Sequence, residues 1–72
     1  MDVEALLRKF QVASEYLDSN IDKLYELSAQ AAEQDDRTSF DVHMDILCRA
    51  VERRANITKC MIMLQTFRTK EN

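Results

Sequence analysis

Glu33-Gln-Asp-Asp-Arg-Thr-Ser39, EQDDRTS, contains no apolar residue and has long apolar-periodic segments on both sides. Read as a turn, it folds the chain back on itself. Read as helix, it leaves one uninterrupted rod about 100 Å long. The chain has no Gly and no Pro, and helix C-termini commonly take Gly, which weighs against a turn. The clustered short polar side chains weigh for it. Thr38, with Asp41 at the third helical position, has the pattern of an N-cap followed by an acid that the helix dipole favours. We therefore expect a turn at about 34–38, a first helix over about 3–33 and a second over about 39–69. The fold class expected is all-α, an antiparallel two-helix hairpin forming a single domain over 1–72.

Upstream, a heptad pattern runs through the first segment. Val3, Phe10, Leu17, Leu24 and Ala31 share one position; Leu6, Ala13, Asn20 and Leu27 share a second. Leu7 and Ile21 widen the stripe. This is an amphipathic helix with its charges on the far face. Ser19 followed by Asp22 resembles a capping box and marks a candidate break near residue 19. Between a break and a continuous helix with exposed polar residues, we favour the continuous one.

Downstream, two apolar stripes appear. Phe40, Met44, Leu47 and Val51 form one; Ile46, Ala50, Ile57, Cys60, Leu64 and Phe67 form the other. Within the second lies KCMIMLQTF, residues 59–67, with five apolar residues in a row. At about 100° per residue, its apolar side chains and Ile57 cover an arc roughly 160° wide, with Ile62 apart from it. One neighbouring helix covers less than that. Two stripes imply two neighbours, and one of them is not in this hairpin. Met44, Met61 and Met63 suit an adaptable contact surface.

The bulk composition agrees. Seventy-two residues, 46% of them hydrophobic, make a folded chain with a small core. Below about 70–80 residues a single core rarely supplies more than about 3–5 kcal/mol, and oligomerisation is a usual remedy. Residues 1–36 carry nine acids and three bases, a balance of −6; residues 37–72 carry seven bases and four acids, a balance of +3. Opposite halves attract, within one chain or between two. Cys48 and Cys60 on one helix would stand about 18 Å apart, beyond disulfide reach, so reduced thiols and a cytosolic home are expected. The acidic start is unlike a signal peptide. The longest apolar run, CMIML, is far short of a membrane span.

Little here points to catalysis or metal binding. His43 is the single histidine. It lies five residues from Cys48, off its helix face, and no metal-ligand spacing occurs. A nucleophile–base pair would need His43 beside a cysteine or serine in a cleft, and no Gly-rich loop can cradle phosphate. We expect no enzyme, cofactor or metal site. Arg49, Arg53, Arg54 and Lys59 form a basic patch. Its nucleic-acid reading is set against pairing with the acidic first helix, and the negative net charge favours pairing. The sequon Asn56-Ile-Thr58 falls in mid-helix and is discounted.

The second segment resembles the small helical-hairpin co-chaperones of type III secretion needle subunits. The resemblance covers residues 40–68: Phe40 after a polar turn, Ile46-Leu47, Ala50-Val51-Glu52, Asn56-Ile57 and the ending Phe67-Arg68. The first helix matches by amphipathicity alone, and the turn departs from relatives that carry Gly or Pro. The resemblance implies a bacterial cytoplasmic protein that binds a larger helical-repeat chaperone. Through it, the needle subunit would be held soluble and unpolymerised. Carried over, the contact residues are Ile57, Met61, Met63, Leu64 and Phe67, with Leu6 and Phe10 from the first helix. The alternative is a homodimeric coiled-coil scaffold or assembly subunit, and the isolated chain is itself expected to self-associate as a homodimer. Nucleic acid and membrane insertion are not expected.

Overall fold

The structure, a computed structural model, describes residues 2–71. Two helices make it up: α1, Val3–Glu33, and α2, Arg37–Glu71. They pack against each other as an all-α hairpin measuring 56 × 15 × 14 Å. α1 runs through residues 18–22 without interruption, so Ser19 and Asp22 do not restart it. A fresh cap would sacrifice helical hydrogen bonds that the packed face on either side holds in place.

Each helix end has a local cause. Asp2 caps α1: its backbone is extended and its Oδ1 accepts from Ala5 N at 3.1 Å. At the other end Asp35 takes a left-handed conformation, φ 54°. Asp36 N donates to Ala31 O at 2.9 Å and Asp35 N to Ala32 O at 3.2 Å. This crossed pair is a Schellman motif, built with aspartate where glycine is usual. Aspartate tolerates the left-handed region better than most residues, which is how a chain without glycine makes the turn.

Asp36 then begins α2. Its Oδ1 accepts from Ser39 N at 3.1 Å and its carbonyl from Phe40 N at 3.0 Å. The N-cap is Asp36 and not Thr38, so α2 starts at Arg37, two residues before Ser39. The connection shrinks to 34–36, shorter than the expected 34–38, because one residue both closes the first helix and opens the second.

The seam is narrow. On α1 the buried residues are Val3, Leu7, Ser14, Leu17, Ser28 and Ala31. They follow alternating steps of three and four, with half-buried Phe10, Ile21 and Leu24 in the gaps. The second row of the seam is therefore Leu7, Ser14, Ile21 and Ser28. The expected row of Leu6, Ala13, Asn20 and Leu27 is half-buried along one edge. On α2 Phe40, His43, Leu47, Ala50, Arg54, Ile57, Met61, Leu64 and Arg68 are covered in steps of three and four, with Ser39 and Met44 half-buried beside them. Of these only Leu47, 3% exposed, is buried. The single seam draws from both expected stripes and leaves the rest of each outside.

Two arginines in the α2 seam fix the register. Arg54 Nε donates to Asp18 Oδ1 at 2.8 Å, and Arg68 pairs with Glu4. From Glu4 to Asp18 is as many residues as from Arg54 to Arg68, so both pairs report one antiparallel alignment. Arg54 also donates to Thr58 Oγ1 at 2.6 Å, which orients its guanidinium. The attraction anticipated between the two halves of the chain is carried across the seam by these two pairs.

Candidate partner-binding face

Most second-stripe residues left outside the seam gather on one flank, whereas Met44 and Val51 of the first stripe lie toward the other. At the open end of the hairpin, Leu6 and Phe10 of α1 and Cys60, Met63, Leu64 and Phe67 of α2 line a shallow groove of about 450 Å³. No charged residue lines it, and its lining is almost entirely apolar. Met63 remains 69% and Phe67 45% exposed, a large cost in apolar surface for so small a core.

A second groove, about 420 Å³, continues toward the turn. Leu17, Leu24 and Leu27 of α1 and Ile46 and Ala50 of α2 form its apolar lining; Asn20, Lys23, Arg49 and Arg53 form the polar part. Leu6, Asn20 and Leu27 are related by whole heptads, as are Ile46, Arg53, Cys60 and Phe67. Seven residues make nearly two helical turns, so both grooves lie on the same flank.

Charge divides by flank as well as by helix. The α1 rows of Leu6 and Lys9, and the α2 rows of Ile46 and Val42, carry Lys9, Lys23, Arg49, Arg53 and Lys70 and no carboxylate within the helices. Glu4, Glu15, Asp18 and Asp22 fall toward the other flank of α1, with Arg8 among them; Asp41, Asp45 and Glu52 fall there on α2, with Lys59. Arg49 pairs with Asp45 at 2.9 Å, both well exposed, and such pairs contribute little. Among the described residues, no ion pair engages Lys23 or Arg53.

Five of the seven residues expected to meet a partner, Leu6, Phe10, Met63, Leu64 and Phe67, are brought together in the open-end groove. Ile57 and Met61 are half-buried members of the seam and chiefly hold the hairpin together. Cys60, absent from the expected set, sits among the groove residues. Its spacing of seven from both Arg53 and Phe67 was the available signal. Both cysteines are free and exposed. Cys60 lines the groove, whereas Cys48 falls on the row of Ala55 and Ile62, away from it.

No match to the chain is found among protein-family models, curated proteins or solved structures.

Two remaining features bear on chemistry. Ser39 Oγ lies 3.2 Å from His43 Nδ1, a serine–histidine contact that the sequence reading did not anticipate. It is a one-turn contact along a helix face, and among the described residues no carboxylate bonds the ring. Among those residues there is no cluster of three metal-ligating side chains, and no helix is long and apolar enough to cross a membrane.

Proposed function

We propose that this hairpin is a co-chaperone of a type III secretion needle subunit. In this reading it binds a larger helical-repeat chaperone in the bacterial cytoplasm, and the pair keeps the needle subunit soluble and unpolymerised. One observation carries the reading: the uncharged, almost entirely apolar open-end groove of Leu6, Phe10, Cys60, Met63, Leu64 and Phe67. The resemblance over residues 40–68 supplies the identity of the partner.

The mechanism is burial. Covering each large side chain is worth about 1.5–3 kcal/mol. The seam buries few apolar side chains, Val3, Leu7, Leu17, Ala31 and Leu47, and each keeps a few per cent of its surface exposed, so coverage by a partner is large relative to the hairpin's own stability. Binding of the folded form then stabilises both chains by mass action.

The test is affinity capture of the tagged protein from its native cytosol, with mass spectrometry of the co-eluting chains. Wild type is expected to bring down a helical-repeat chaperone and a small needle-type subunit. Met63→Asp and Phe67→Asp are expected to lose both while keeping the helical circular dichroism signal. These positions test the surface more cleanly than Met61 or Leu64, where aspartate would also damage the seam. Capture of a second copy alone would replace the co-chaperone reading with the homodimeric scaffold.

A further inference from the structure

The grooves and the cations together describe what fits on this flank. We propose that it seats one amphipathic helix of the partner, apolar along its ridge and bordered by carboxylates at one end. This deepens the co-chaperone reading by naming the chemistry of the segment that docks, and it rests on that reading for the partner's existence.

Three features define the occupant. The first is length. The lined flank runs from Leu6 to Leu27 along α1 and from Phe67 back to Ile46 along α2, about 32 Å, which a helix of about 20 residues spans. The second is shape. Leu17 is buried and Leu24, Leu27 and Ala50 are half-buried beneath the cations, so the apolar surface is a floor between two helices. A ridge of side chains reaches it; a flat surface does not. The third is charge. Lys23 on one wall and Arg49 and Arg53 on the other frame the turn-proximal groove, whereas the open-end groove has no charged lining. Lys9 and Lys70 stand at the open end without lining its groove, so carboxylates are wanted chiefly at the turn-proximal end of the occupant.

The same features disfavour other occupants. This flank carries no carboxylate within the helices, so a second copy docked on it by a two-fold axis, parallel or antiparallel, would set Lys23, Arg49 and Arg53 against cations or against the uncharged open end. A lipid surface would leave the floor unfilled. A nucleic acid would cover the cations but not the leucines, and would face a chain of net charge −3.

The test uses two synthetic helical peptides of about 20 residues with the same leucine ridge, one bordered by Glu at one end and the other by Lys. Each is titrated into the full chain, with amide shifts followed by NMR. The Glu-bordered peptide is expected to bind at least about tenfold more tightly, with weakening as salt rises and shifts centred on Leu17, Leu24, Leu27, Ile46 and Ala50. In the Lys23→Glu, Arg53→Glu double variant the preference should reverse. Lys23→Gln with Arg49→Gln and Arg53→Gln should abolish the preference without reversing it; both variants change exposed side chains and should stay helical.

Equal binding of the two peptides, shifts on the flank of Tyr25 and Cys48, or no binding of either peptide overturns the proposal. So does binding of phosphatidylserine vesicles or a DNA duplex in place of the peptides. If captured chaperone depends on Phe67 but ignores the reversed charges, the acidic seat fails and the co-chaperone reading stands. If the Glu-bordered peptide binds as described and no chaperone is captured, the seat stands and that reading fails.

Discussion

At the scale of single residues, two positions work against the fold they belong to. Asp35 holds φ at 54°, a region where an L-residue is penalised and glycine is not. Asp35→Gly should stabilise the hairpin by about 0.5–1 kcal/mol, and Asp35→Ala should destabilise it by about as much; urea unfolding followed by circular dichroism checks both. Ser28 is 4% exposed and its hydroxyl has no partner, whereas Ser14, 2% exposed, donates to Gln11 O at 2.8 Å. Burying an unpaired hydroxyl costs about 1–3 kcal/mol. Ser28→Ala should therefore raise stability by up to about 1 kcal/mol, and Ser14→Ala should not. The same unfolding assay compares them.

At the scale of the helices, the seam is asymmetric. Among the described residues, α1 contributes six buried side chains and α2 only Leu47, 3% exposed. Leu47→Ala should cost about 2–4 kcal/mol, most of what so small a core supplies, and the variant should lose its cooperative unfolding transition. Arg54 and Asp18 are partly solvated, so a double-mutant cycle should give a coupling of no more than about 1 kcal/mol. Their larger contribution is to alignment.

The hairpin and its amphipathic first helix were legible because apolar spacing reports a face directly. Which residues form the centre of that face was not. A stripe wider than one neighbour leaves both edges eligible, and hydropathy ranks Ala13 above Ser14 and Leu6 level with Leu7. The structure takes the row holding two serines, whose small side chains sit in a narrow seam. Arg54 and Arg68 hid the α2 seam in the same way, since a cation breaks an apolar pattern even when a carboxylate across the seam receives it. Most of the open-end groove was readable from the wide apolar arc that holds Met63 and Phe67; the basic patch was readable too, but not that Arg54 turns into the seam and Lys59 to the other flank while Arg49 and Arg53 border the groove.

At the scale of the whole molecule, the hairpin is a rod. Its radius of gyration is 16.4 Å, against about 11 Å for a compact chain of this length. Dilute small-angle scattering should give a value near the former. A straight continuous helix would give roughly 30 Å, so the experiment separates the hairpin from the long-helix scaffold. The two free cysteines add a reporter that requires no mutation. Cys60 lies within the groove and Cys48 lies away from it, both open to solvent. Alkylation therefore acts as a footprint with an internal standard. When a partner seats, modification of Cys60 should slow while Cys48 keeps its rate, and the ratio of the two labelled peptides reads occupancy directly in an unfractionated extract.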